Sequence, residues 1–161
     1  MAIQNAPRSL AAGAAALNFV GFAVHLCGFL TAGCALAKLL DGLGFLAVLM
    51  LLSPFGLGLG LLGCLELFAA AGLLGGGVLL LCRRRSGVWV TVGASAAGCL
   101  GPLLLAARII PAPIVFGKVA AGMPSGQLAL LLGGCVVVLS GLIMALTMVL
   151  AVTAPGRVAA G

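Results

Sequence analysis

The sequence has very little charge. Only 6% of its 161 residues are Asp, Glu, Lys or Arg, and the acids are one Asp41 and one Glu66. A soluble domain carries roughly a quarter of its residues as charges. This chain therefore cannot build a water-facing surface around a core. It has no tyrosine, one tryptophan and one histidine. A lone histidine excludes a bis-histidine haem within one chain, and the scattered acids and thiols give no clustered donor set for a metal. HExxH and P-loop patterns are absent, and Gly75-Gly76-Gly77 lies within an apolar run rather than after a strand. None of the six cysteines forms a CxxC pair, which excludes a quinone-linked disulfide enzyme. None lies in a polar loop, as an extracellular disulfide framework would require. No cofactor and no enzymatic activity are expected.

What the sequence has is apolar length: 64% of the residues are hydrophobic. A bilayer accepts such a surface but offers the backbone no hydrogen bonds, so only helices or a closed barrel can cross it. A barrel needs ~10-residue stretches of alternating polarity. Here the runs are unbroken Leu, Ala, Gly and Val. Four of them approach the ~20 residues a spanning helix needs, at about 14–37, 58–81, 88–107 and 128–152. The expected fold is all-α: one integral membrane domain over 1–161, a four-helix bundle of two transmembrane hairpins.

The net charge of +6 would suggest nucleic acid in a soluble protein. Here the cations sit at the ends of apolar runs, where they meet lipid headgroups and set orientation. Nucleic acid is not an expected partner; the bilayer is. Arg83, Arg84 and Arg85 form the tight connection between the second and third spans and place it in the cytoplasm. Both termini then lie inside as well, with Arg8 and Arg157. Lys38, Arg108 and Lys118 fall outside. In the first outer loop, 38–57, the apolar run 43–52 is too short to cross and stops at Ser53-Pro54, so an interfacial or re-entrant helix is expected. The second outer loop, 108–127, carries Pro111-Ala112-Pro113 and Met123-Pro124-Ser125-Gly126, which are turn formers.

Leu30-Thr31-Ala32-Gly33-Cys34 has the form of a lipobox. Arg8 is the only cation before it, and the apolar stretch exceeds the ~7–15 residues of a signal sequence. An uncleaved first helix is expected. Cys82, beside the arginines, is a palmitoylation candidate in a eukaryote; the plainer reading is an interfacial thiol without a role. The cysteines in general read as small buried hydrophobes.

Lipid tails are as apolar as leucine, so membrane helices associate through small residues and polar contacts. The chain has 26 glycines. Small-x-x-x-small pairs include Gly28/Ala32, Gly33/Ala37, Gly56/Gly60, Gly72/Gly76, Gly93/Ala97/Gly101 and Gly141/Ala145. Whether the neighbour is the same chain or another is left open by spacing. Asn18 and His25, Thr91 and Ser95, and Ser140 and Thr147 fall on the glycine faces. Glu66 shares a face with Gly63, Ala69 and Ala70. These stripes are expected to point inward and the leucines outward. Pro102 is expected to kink the third span.

Glu66 is the most unusual residue. A carboxylate within a spanning helix costs on the order of +3 kcal/mol to insert, and the ten leucines of that segment offset it at about −0.5 kcal/mol each. His25 lies within ~7 Å of its depth at 1.5 Å per residue. A candidate proton or cation site follows from Glu66, His25 and Asn18, with Lys38 as another partner for the acid. The plainer reading is one interhelical hydrogen bond that fixes the bundle. A Glu in a Gly-rich helix resembles the proteolipid subunits of rotary ATPases. Those lack long outer loops and an Arg triplet at this place, and their function is not carried over. The layout, with abundant Ala, Gly and Arg, resembles small membrane proteins of GC-rich bacteria, and a plasma (inner) membrane location is expected. The leading expectation is a non-catalytic accessory or scaffold subunit that packs against other membrane-protein subunits or forms a homo-oligomer. The alternative is a small transporter or channel for protons, cations or a solute, using Glu66 and His25.

Overall fold

The computed structural model describes residues 8–106 and 125–153. The turn at Pro111 and Pro113, with Arg108, Lys118 and Arg157, lies outside the described residues. The described chain is helical throughout: α1 (Arg8–Leu40), α2 (Leu46–Leu51), α3 (Pro54–Leu81), α4 (Ser86–Ala106) and α5 (Ser125–Thr153). All but α2 are long and apolar enough to cross a membrane. Each expected span lies within one of these helices to within a residue, and every helix starts before its expected span.

The long helices form a ring. α1 packs on α3, α3 on α4 and α4 on α5, and α5 returns to α1. Neighbours run in opposite directions. Gly77 of α3 faces Asn18 and Phe19 of α1, whereas Gly63 faces Ala32. Gly72 faces Ala94 of α4, whereas Gly101 of α4 faces Leu62. The start of α1 therefore lies at the same end as the Arg83–Arg85 turn, where Ala11, Ala14, Ala15, Leu80, Val88 and Leu150 form an apolar cluster. A second cluster, Ala32, Ala35, Leu59 and Leu62, fills the α2 end. Leu73, Ala94 and Ile143 pack between them.

The connection between the first two spans is shorter than the expected 38–57. Ser53 does more than stop the preceding run. Its hydroxyl donates to the Met50 carbonyl at 2.6 Å and accepts from the Gly56 N–H at 3.2 Å. With Pro54 at the first helical position, this is an N-cap that starts α3 four residues early. The apolar run 43–52 condenses to α2, which has no buried residue; Phe45, just before it, is 84% exposed. Such a hexapeptide has no core of its own to join.

At the other end, α3 closes on a left-handed residue without a glycine. Arg83 has φ 56°, its N–H bonds the Leu80 carbonyl, and the Arg84 N–H bonds the Leu79 carbonyl. This double closure satisfies the last carbonyls and turns the chain directly into α4. Trp89 follows, 66% exposed. α4 continues through Pro102 to Ala106.

The inward polar faces are as expected: Asn18, His25, Glu66, Thr91, Ser95, Ser140 and Thr147 are all buried. Two expectations need correcting. The cysteines are not core residues: Cys27, Cys34, Cys64, Cys82 and Cys135 are exposed and Cys99 is half-buried. Cys27 and Cys34 stand two positions beyond His25 and Ala32, about 200° around the helix, which puts them on the outer face. The glycines also divide. Gly28, Gly72, Gly76 and Gly101 are used within the bundle, but a side chain on Gly33, Gly93, Gly134 or Gly141 would meet nothing within 4 Å.

Candidate functional site

His25 and Glu66 are placed by the antiparallel register of α1 and α3. Their stripes face each other at mid-bundle, and Nδ1 of His25 lies 2.7 Å from Oε2 of Glu66. His25 is 0% exposed and Glu66 8%. One proton lies on that short line. The imidazole's other nitrogen, Nε2, meets Oγ of Ser140 on α5 at 3.4 Å. Three helices are thus tied through one ring. The partner on each side fixes its orientation.

Glycines make the room. A Cβ on Gly28 would lie 2.7 Å from Oε2 of Glu66, and one on Gly98 would lie 2.5 Å from Cε1 and 2.6 Å from Nε2 of His25. A Cβ on Gly101 would come within 3.2 Å of Oε1 of Glu66. The ring and the carboxylate therefore rest against helix backbone on two sides. Pro102 adds to this: it has no N–H for the carbonyl of Gly98 one turn back, so a backbone acceptor is freed from the helix beside the imidazole.

Asn18 does not belong to this cluster. It lies seven residues from His25, about 10 Å along α1. Its Nδ2 donates to Oγ1 of Thr91 on α4 at 3.1 Å. The polar interior thus has two tiers, Glu66–His25–Ser140 and Asn18–Thr91. Lys38 is exposed at the end of α1 and does not turn in toward the acid. No family model, curated protein or solved structure matches the chain. The chemistry of the site must be judged on its geometry alone.

The order Ser140–His25–Glu66 is that of a hydrolytic charge relay. The likeness ends at the hydroxyl. Ser140 is 1% exposed and sits inside α5, where neighbouring N–H groups already serve the helix. Acyl transfer needs donors aimed at a developing oxyanion, and a helix interior supplies none. Among the described residues no three His, Cys, Asp or Glu side chains gather to hold a metal ion. The arrangement sets an acid against an imidazole at hydrogen-bond distance and links α1, α3 and α5 through side chains.

Sequence reasoning placed Ser140 on an inward face but did not join it to His25. Nor did it bring Gly98 against the imidazole. The signal was the depth of Ser140 and Gly98 relative to His25, which requires the register of α4 and α5 against α1.

Proposed function

We propose that this chain is a small, non-catalytic membrane subunit that works by packing its outer face against partner membrane proteins or a second copy of itself. The observation that carries this reading is the division of the small residues. Those facing Glu66, His25 and Thr91 are filled by the chain itself. Gly33 and Ala37 on α1 are both exposed, as are Gly134 and Ala145 on α5, and the space beside Gly33 and Gly134 is open. Small outward residues let another spanning helix approach closely, which is the main source of helix association in lipid.

Cys34 is exposed directly beside Gly33 and reports on that face. In native membranes, a thiol-directed crosslinker is expected to give a discrete adduct through Cys34, absent in Cys34→Ser. Gly33→Leu is expected to weaken association by about tenfold, the size of one lost close contact. A chain that stays monomeric in both native membranes and mild detergent would overturn the reading.

The same proposal places the protein in the plasma (inner) membrane of a GC-rich bacterium. The Arg83–Arg85 turn and both termini lie in the cytoplasm, because cationic turns are retained there. Cys82, exposed beside that turn, tests it. A membrane-impermeant maleimide is expected to spare Cys82 in intact cells and label it after permeabilisation. Asp41→Cys, placed in a Cys82→Ser background, is expected to label from outside. The reverse pattern would invert the topology.

A second reading is favoured by the ionisable pair at mid-bundle: a proton or cation carrier using Glu66 and His25. In proteoliposomes it predicts an ion or proton flux that Glu66→Gln abolishes. Unchanged flux in that variant would remove the site.

A further inference from the structure

Among the described residues, two buried side-chain polar atoms have no hydrogen-bond partner: Oδ1 of Asn18 and Oγ of Ser95. Asn18 is 0% exposed and Ser95 1%. A serine or threonine inside a helix usually turns its hydroxyl onto the carbonyl four residues back. Thr31 does so toward Cys27 and Thr147 toward Ile143. Ser95 does not. Asn18 uses Nδ2 on Thr91, so its oxygen is the end left over.

The helix rise relates the two. Ser95 stands four residues beyond Thr91, about 6 Å along α4. Asn18, bonded to Thr91, thus stands about one helical turn from Ser95. One water bonded to two oxygens at ~2.8 Å each spans up to ~5.6 Å. On its other side Ser95 is three residues, about 4.5 Å, short of Gly98, where the His25 ring packs. Ser95 therefore stands between the two polar tiers.

We infer that Asn18 Oδ1 and Ser95 Oγ form a binding site for one buried water, held between the Asn18–Thr91 tier and the His25–Glu66–Ser140 tier. The water donates one hydrogen to Oδ1 of Asn18 and bonds to the Ser95 hydroxyl. Leaving a buried oxygen unpaired is more costly than immobilising one water molecule. Apolar clusters lie beyond both tiers, Ala11 to Leu150 at one end and Ala32 to Leu62 at the other. The water is occluded and exchanges slowly with bulk.

The test is water–protein cross-relaxation by NMR on the full chain in lipid nanodiscs, with Asn and Ser labelled. A long-lived cross-peak is expected between water and the Asn18 side-chain amide, and it disappears in Ser95→Ala. The same variant is expected to lower the midpoint of detergent-induced unfolding, since it removes a bridge. A wild-type spectrum without the cross-peak overturns the inference. So does a rise in the midpoint of Ser95→Ala, the result expected if alanine only relieves an unpaired hydroxyl in a dry core.

Discussion

Replacing His25 by leucine is expected to destabilise the bundle by about 3–5 kcal/mol, the loss typical when one member of a buried pair is removed and its partner is left without it. Glu66→Leu is expected to cost less, about 1–2 kcal/mol. It leaves the imidazole its contact with the Ser140 hydroxyl, and single polar contacts within membrane bundles are of that size. The double variant is expected to return to within about 1 kcal/mol of the parent, because neither group is then left unpaired. The asymmetry follows from the structure. His25 has two partners, Glu66 at 2.7 Å and Ser140 at 3.4 Å, whereas the carboxylate has one side-chain partner and otherwise rests on glycines. Reversible unfolding in mixed detergent reads all three values. Equal and additive losses would mean that the residues do not act as a pair.

Gly98→Ala should come next in effect. Its Cβ would lie 2.5 Å from the His25 ring, closer than any real carbon contact. A flexible side chain would swing aside. The imidazole cannot, being held at one nitrogen by Glu66 and at the other by Ser140. The whole of α4 must move off α1, or the ring must give up a partner. Overpacking of this kind costs about 1–3 kcal/mol. Gly28→Ala strikes the carboxylate from the other side, 2.7 Å from Oε2, with the same sign and a smaller size, because the Glu66 side chain has more freedom to shift. Gly93→Ala and Gly134→Ala carry the opposite sign. Nothing lies within 4 Å of either position, and alanine is the better helix former by about 1 kcal/mol. Four glycine-to-alanine changes in one chain thus divide by what each glycine faces.

The helices were legible because their cause is local. Long apolar runs without charge leave the backbone no alternative, and each of the four was found. The inward faces were legible too, since a polar side chain among leucines marks its own side of a helix. What the sequence could not order was the register between helices. Low-complexity Leu, Gly and Ala segments pack about equally well one turn up or down. Depth counting brought His25 to Glu66 but also drew in Asn18, which in the structure bonds Thr91 two turns away. The cysteines were misplaced for a different reason. A thiol is as much at home in lipid as in a core, so burial statistics from soluble proteins do not transfer to it. Ser53-Pro54 was half read: the same two residues that end one helix cap the next.

The account turns on the tie between α1 and α3, and a single histidine makes it directly measurable. Histidine labelled with nitrogen-15 gives one imidazole spectrum for the whole chain in lipid nanodiscs. The structure predicts a ring proton on the Glu66 side, shifted far downfield by the short hydrogen bond, persisting in heavy water and moving markedly in Glu66→Gln. A ring proton that exchanges with solvent as fast as free imidazole, and that ignores Glu66→Gln, would contradict the bundle described here.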